Sequence, residues 1–566
     1  MHEWRSEGMM GEAARERRQF WWFMLFALLV IGAGIGLRAP WPADEPRFVL
    51  VARQMWESGQ WLFPHRGSEL YSDKPPLYFW LLGASYALVR QWNIAFLLPS
   101  LLAALGTLTL TYDFARRSWN HRVGLWAAAA VLFSFQFVYQ AKRAQIDPTV
   151  VFFITVGVYG IGRHVLLGPN WRWYWLGCFA AGLGVISKGV GFIALLALLP
   201  YALMRWRGWN GLSEPAPRGA GKWWLGGASF LLAIALWFVP MLVTALVSGD
   251  PEHRAYLNDL LYRQTATRYV SAWHHHAPWW YFIKVILTQW LPFVVFLPWL
   301  LGPWRQAWRQ RDARVWWPLA WLLLVLLFFS ASPGKRDMYI LPALPALAWA
   351  AASFMPALVQ RRGLRWALWV FSMLLGVGLL AVGLAALFGN PGYEARLVAE
   401  RGLEVGSGAL WLWRVLALMG ALIVIAGIVC RLRHVLLFTA LGVAVTWLGY
   451  GFGIAPLLDG ESSSRDLMHE AREQAGADTV IGLVNWREQQ LLQAVGPVTE
   501  FGFKQPEDEQ WRRGIAWLQA EPTQRVLLSQ DVAMPDCVDR GQIHPLGAAN
   551  RRSWLLVDAQ AVAGCR

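Results

Sequence analysis

Charge is what this sequence has least of. Lys, Arg, Asp and Glu make up 15% of its 566 residues, against about 25% in an ordinary soluble domain. Acidic residues are the scarcer kind: 36 Asp+Glu stand against 51 Lys+Arg, a net charge of +15. Four cysteines are too few for a secreted disulfide scaffold. No internal repeat or low-complexity segment occurs, which excludes a solenoid and a disordered chain. The motifs G-x-G-x-x-G, G-x-x-x-x-G-K-[ST] and H-E-x-x-H are missing too, so nothing supports a nucleotide-using mechanism.

What is abundant is apolar. Hydrophobic residues reach 56% with 38 Trp, and the mean hydropathy is +0.34. A soluble domain would have to expose much of this surface, so the reading is an all-α polytopic membrane protein. That excludes the nucleic-acid partner that +15 would suggest in a soluble chain. A spanning helix needs about 20 apolar residues, and thirteen such runs are read: 20–37, 93–115, 123–141, 148–166, 172–187, 189–204, 223–247, 280–302, 315–331, 338–358, 365–388, 408–430 and 434–455. Alternate loops are basic, among them Arg15, Arg17 and Arg18; Arg116, Arg117 and Arg122; Arg305, Arg309 and Arg311; and Arg361, Arg362 and Arg365. By the positive-inside rule these face the cytoplasm. The N-terminus is then cytoplasmic and, after an odd number of spans, the C-terminus lies outside. The first run lacks a clean cleavage site and is read as an uncleaved span.

Three outward segments are too long to be connectors. Residues 38–92 form a first loop and 248–279 a second, both within a membrane domain of 1–455. Residues 456–566 alternate strand-like and helical runs and are expected to fold as a small α/β domain. Cys178 and Cys430 sit in spans as packing residues. Cys537 and Cys565 lie in the outward tail, where an oxidising compartment favours their pairing.

The chemistry is sought where polar residues gather on that outward side. Asp44-Glu45 follow the first span; they either cap the helix that begins at Arg47 or act as paired acids. That helix, Arg47–Ser58, is expected to lie in the interface. Tyr71-Ser72-Asp73-Lys74-Pro75-Pro76 precedes a second interfacial helix, Leu77–Val89, started by the double proline. Lys74 is a snorkelling residue or a phosphate contact. In Lys142-Arg143-Ala144-Gln145-Ile146-Asp147-Pro148, Asp147 is a helix cap, an acid of the site, or both. Lys188 stands between two short apolar runs; it is a connector residue or lines a wet cavity. One of His274, His275 and His276 with an acidic partner is the donor set that Zn²⁺ takes, the alternative being a polar stretch ahead of an aromatic belt. Lys335 and Arg336 in a short outward turn run against the positive-inside trend, which points to an anionic ligand.

Asp44-Glu45, Asp73-Lys74-Pro75-Pro76, Asp147, the loop ending Pro278-Trp279-Trp280-Tyr281, and Lys335 through Tyr339-Ile340-Leu341-Pro342 resemble the membrane glycosyltransferases of the GT-C superfamily. The likeness is greatest to the bacterial aminoarabinose lipid A transferases and the protein-mannosyltransferase-like group. It extends into the tail at Ser462-Ser463-Ser464-Arg465 and Gly482 through Gln489.

The resemblance implies a thirteen-span bacterial inner-membrane enzyme with a periplasmic site and a periplasmic α/β domain. The donor it implies is a sugar on undecaprenyl phosphate; the acceptor is lipid A or a related envelope glycan. It makes Asp44, Glu45 and Asp147 the catalytic acids. Lys74, Arg263 or Arg268, Lys335, Arg336 and Tyr339 become donor-phosphate contacts. Tyr71, Arg143 and Lys188 become cavity residues. Asp73, standing where relatives carry Glu, would join His275 and His276 as Zn²⁺ ligands, although no cofactor is required. Ser332-Pro333-Gly334-Lys335-Arg336-Asp337 departs from the Ser-Lys-rich turn of the aminoarabinose transferases, which leaves the sugar open between a pentose and a hexose or hexosamine. The expected assembly is a monomer. The reaction read from these residues is displacement at the anomeric carbon with inversion. Alternatives are a protein O-mannosyltransferase-like enzyme and a transporter or flippase of lipid-linked sugars.

Overall fold

The computed structural model describes residues 2–214, 219–261, 276–388, 408–550 and 552–565. Most of it is helical. Among the described residues seven helices are long and apolar enough to cross a membrane, and nine if two bent pairs each count as one span. The pairs are His121–Leu132 with Phe135–Ala141, bent by 70°, and Tyr281–Gln289 with Phe293–Arg309, bent by 99°. The second bend falls at Leu291-Pro292, where proline removes a donor from the helical ladder. Other apolar runs form shorter pieces, as in Gly191–Trp206 and Asp337–Ala352, each of which opens with 3-10 geometry.

Broken helices free carbonyls that lipid cannot satisfy, and tryptophan supplies donors for them. Trp321 Nε1 donates to Ile193 O and Trp317 Nε1 to Ala197 O, both at 2.9 Å and both within the 3-10 segment Gly191–Ala197. Other buried indoles bond elsewhere: Trp349 Nε1 donates to Thr111 O, inside helix Leu98–Ser118, at 3.0 Å, and Trp290 Nε1 to the side-chain oxygen of Gln136 at 2.7 Å. All four indoles are fully buried. Elsewhere glycine lets helices meet without side chains between them. Ile146–Val165 packs against Trp171–Lys188 so closely that a Cβ on Gly160 would fall 2.2 Å from Trp173 O.

The expected helix Leu77–Val89 follows Pro76 and closes on Arg90, in the left-handed region at φ 55°. The other expected interfacial helix runs Glu45–Ser58 and ends on Gly59 at φ 72°, a conformation that favours glycine. It does not lie on an open interface: Phe48 through Ala52 are buried, and its polar face is covered by the C-terminal segment. Arg47 Nε bonds Glu488 at 2.6 Å and Arg53 Nη1 bonds Leu492 O at 3.3 Å.

In the first loop, β1 (His65–Arg66) and β2 (Glu69–Leu70) form a small antiparallel ribbon. The C-terminal segment builds a five-stranded sheet from β3 (Val480–Leu483), β4 (Val498–Glu500), β5 (Arg525–Gln530), β6 (Ile543–Ala549) and β7 (Arg552–Val557). Its order is β4-β3-β5-β7-β6. β3 pairs in parallel with β4 and β5, with Ile481 opposite Val498 and Gly482 opposite Leu527; β5, β7 and β6 are antiparallel neighbours. Helix Glu507–Ala520 packs Trp511 and Leu518 onto the sheet with Val484, Leu527 and Val557. Cys537 and Cys565 are disulfide-bonded.

Candidate active site

The site begins where the first helix, His2–Gly32, ends. Arg38 emerges into protein, 4% exposed, and pairs with Glu45, which has no exposed surface. Arg38 Nη1 and Nη2 donate to the two oxygens of Glu45 at 2.6 and 2.8 Å. Glu45 also accepts the backbone N–H groups of Trp41 at 2.8 Å and Ala144 at 3.0 Å, and Arg38 donates to Lys142 O at 3.0 Å. Burial disfavours both charges, but each outweighs it for the other. The Glu45 carboxyl is held below its ordinary range and the Arg38 guanidinium above its own. This pair staples the first loop to the turn at 142–145.

Asp44 occupies the cap position of helix Glu45–Ser58, but its side chain makes no capping bond. Its carboxylate faces Gln145 Nε2 at 3.4 Å and the guanidiniums of Arg47 and Arg336 at 3.5 Å each. Two residues past Gln145, Asp147 sits in the first turn of helix Ile146–Val165. The cap there is Gln145, so capping does not account for Asp147. It is paired instead with Lys188 Nζ, which lies in the last turn of Trp171–Lys188. An acid at a helix start meets a cation at a helix end, as both macrodipoles favour. The Lys188 ammonium lies 5.0 Å from the centre of the Tyr339 ring.

The two cations of the short turn diverge. Arg336 reaches Asp44, whereas Lys335 is 5% exposed and donates to Ala277 O at 3.0 Å and to Ser332 O. Lys335 thus latches the turn to residues 276–277, where His276 bridges Gly334. The geometry gives its ammonium two carbonyl acceptors, which makes it a fastening residue of the turn.

Tyr71 is buried; burial first, then the Asp73 carboxylate, pushes its phenol up, so it stays a donor. Lys74 Nζ donates to Asp73 O at 3.2 Å. Ser72 Oγ bonds the Asp259 carboxylate, tying the second loop to this segment. Arg143 lies 3.8 Å from Glu45 and donates to Tyr139 Oη at 3.0 Å. Arg263, Arg268 and His275 lie outside the described residues. Among the described residues no three His, Cys, Asp or Glu side chains converge to hold a metal ion.

Sequence reading missed four members of this neighbourhood. Arg38 is one; as a cation on the outward side it carried the same signal that singled out Arg336. Lys142 is 5% exposed and donates to Ile31 O at 3.2 Å and Ala33 O at 2.8 Å, capping the first helix. Burial, then Arg38, lowers its amine to about 7. Glu488 bonds both Arg47 and Arg66. Asp459 accepts Ala39 N at 2.8 Å and Trp41 Nε1 at 2.9 Å, and it pairs with Arg465 at 3.0 Å.

The chain is similar to known proteins in sequence and in fold. Residues 73–238 match the sequence model of the dolichyl-phosphate-mannose-protein mannosyltransferase family. The chain is 30% identical over 392 residues to an undecaprenyl phosphate-alpha-4-amino-4-deoxy-L-arabinose arabinosyl transferase of Pseudomonas aeruginosa, covering 66% of this chain and 64% of that one. A counterpart from Pseudomonas fluorescens is 31% identical over 335 residues, 58% of this chain and 57% of its own length. The match therefore spans less than two thirds of these relatives. The crystal structure of ArnT from Cupriavidus metallidurans bound to undecaprenyl phosphate superposes with a TM-score of 0.70 at 20% identity, covering 95% of this chain and 98% of that one. The fold is that of ArnT, and the chain is similar in sequence to aminoarabinose transferases.

Proposed function

We propose that this chain is an inner-membrane glycosyltransferase that moves a sugar from undecaprenyl phosphate to lipid A or a related envelope acceptor, on the periplasmic face. The aminoarabinose pentose is the favoured sugar, since the relatives named for it align over more than half of the chain. Residues 1–455 form a membrane domain of thirteen spans with a cytoplasmic N-terminus, and 456–566 form a periplasmic α/β domain; the protein acts as a monomer. The disulfide between Cys537 and Cys565 supports an oxidising location.

One observation carries the reading: two acid–cation pairs, Asp44 with Arg336 and Asp147 with Lys188, are built from separate elements, and Gln145, two residues before Asp147, donates to Asp44. A glycosyl phosphate donor leaves a phosphate behind, and that departing charge needs cations. Lys74 and Arg336 supply them. Asp44 is held between Arg47 and Arg336 and orients the acceptor on the far side of the anomeric carbon. An acceptor phosphate is already ionised and attacks without a base; toward a hydroxyl acceptor, Asp44 removes the proton. The C–O bond to the acceptor forms as the bond to the donor phosphate breaks, with inversion. Lys188 holds Asp147 in place. Glu45 positions Asp44 through its bonds to the first loop and touches no substrate.

The test is transfer by purified protein in lipid vesicles. Lys74→Ala and Asp44→Asn are each expected to lower transfer by about 100-fold or more while insertion and folding are retained. Full transfer by both variants rejects the assignment.

A further inference from the structure

The seam between the first loop and the C-terminal sheet holds more cationic donor than its bonds engage. Arg66 is 7% exposed, and the one hydrogen bond of its guanidinium among the described residues runs from Nη1 to Glu488 Oε1 at 3.2 Å. Arg47 Nε grips the same oxygen at 2.6 Å and stands 3.5 Å from Asp44 through Nη1. Arg66 Nε is buried with no partner among the described residues, and so is Trp486 Nε1. The two side chains share a wall: the Arg66 guanidinium lies 3.6 Å from the centre of the Phe503 ring, on which Trp486 packs at 5.1 Å. Asn485, next to Trp486, has two further unpartnered buried atoms in its carboxamide. Buried donors left unpaired are costly, so their retention points to a ligand with many acceptor oxygens. Location agrees. Glu488 follows β3, at the edge where the parallel strands β4, β3 and β5 end and the chain order reverses. Open α/β sheets bind ligands at that crevice.

We infer that this seam is a phosphate subsite for the acceptor lipid: an acceptor phosphate displaces the Glu488 carboxylate from between Arg47 and Arg66. The inference rests on the transferase reading above. A phosphate presents three oxygens, enough to engage both guanidiniums and the Trp486 indole, and arginine matches its geometry. Arg47, whose side chain is 26% exposed, is the side from which it enters. The subsite sets the acceptor beside Asp44 through Arg47, so the C-terminal sheet takes part in acceptor choice.

The experiment measures equilibrium binding to the full chain in lipid nanodiscs. The probes are diphosphorylated lipid A, the same lipid fully dephosphorylated, undecaprenyl phosphate, and inorganic phosphate as competitor. Arg66→Gln is expected to weaken diphosphorylated lipid A by about ten-fold, leaving the dephosphorylated lipid and undecaprenyl phosphate within about two-fold. Arg66→Lys recovers most of the loss, and Glu488→Gln tightens binding about two-fold or more because a neutral amide competes less. Competition by inorganic phosphate that is lost in Arg66→Gln supports recognition of phosphate itself; competition by the phosphorylated lipid alone supports a lipid-borne phosphate. Equal weakening of both lipid A forms, or a loss in Glu488→Gln as large as in Arg66→Gln, overturns the inference and leaves a plain strut. Should Arg66→Gln fail to fold, Trp486→Phe decides, with about three-fold weaker binding of the phosphorylated form expected and no change overturning the subsite. Failure of the wild type to bind undecaprenyl phosphate counts against the donor reading and is read separately.

Discussion

Glu45 has no exposed surface and both of its oxygens are filled by four donors. Asp44, one residue earlier, has its nearest cations at 3.5 Å, and one of them, Arg336, has a side chain 39% exposed. The two acids differ by one methylene and about 100° of helical rotation, yet one is walled in and the other keeps some exposure and a partly exposed partner. A third acid, Asp147, is intermediate, held by a single cation from a neighbouring helix. The lesson is that charge at a membrane surface divides into closed pairs, which fix the loop, and half-open pairs, which leave a charge able to meet a substrate. Closed pairs contribute geometry, because burying two ions costs about as much as their attraction returns.

That contrast breaks most visibly in activity. Asp44→Asn is expected to abolish transfer with the thermal midpoint nearly unchanged, whereas Glu45→Gln loses stability first and activity only with it. Purified variants assayed for both quantities decide; an inactive Glu45→Gln with wild-type stability erases the distinction. The next largest effect is on folding. Arg38→Ala leaves a buried carboxylate uncompensated and is expected to cost about 3–5 kcal/mol. The double variant Arg38→Met with Glu45→Leu is expected to recover most of it, measured by unfolding in mixed detergent. For the half-open pair, Lys188→Met is expected to lower transfer by roughly ten-fold with the thermal midpoint nearly unchanged, while Lys188→Arg retains most activity. A Lys188→Met enzyme that loses activity only in step with its stability shows the pair to be structural.

How much of this was legible in sequence depends on whether the cause is local. The start of Leu77–Val89 was, because Pro75-Pro76 act on the next few residues. The stations Asp44, Asp147, Lys188 and Arg336 were, because charges in outward connections of an apolar chain stand out by themselves. Their partners were not. Lys188 and Asp147 are 41 residues apart and Arg47 and Glu488 are 441 apart, and no periodicity encodes such a pairing. Lys335 and Arg336 are indistinguishable as text; the backbone of the turn sends one to carbonyls and the other to Asp44. The apolar runs at 123–141 and 280–302 read as single spans but contain bends of 70° and 99°. Long hydrophobicity windows average over a break, and the two breaks meet each other instead, Phe135 N donating to Leu291 O at 3.0 Å.

The smallest expected effect concerns Lys142, which belongs to the closed side of the comparison while carrying a charge it only half keeps. Its amine is lowered to about 7 by burial and then by Arg38, and the residue lies in the connection after Phe135–Ala141. In the unfolded chain a lysine keeps its proton to about pH 10.4. Below pH 7 both states are protonated, and the cost of the buried ammonium is present in full. Above pH 7 the folded state releases the proton and the unfolded state does not, so stability rises with pH until about 10.4. The slope approaches about 1.4 kcal/mol per pH unit, and the first unit, from 7 to 8, is worth roughly 1 kcal/mol because the folded group is only half titrated at its start. Lys142→Met removes this dependence and leaves the rest of the pH profile in place. Unfolding of the two proteins compared at pH 7 and pH 8 isolates the difference. Parallel behaviour would mean that the carbonyls of Ile31 and Ala33 hold the ammonium charged, and Lys142 would then join Arg38 and Glu45 as a fixed charge.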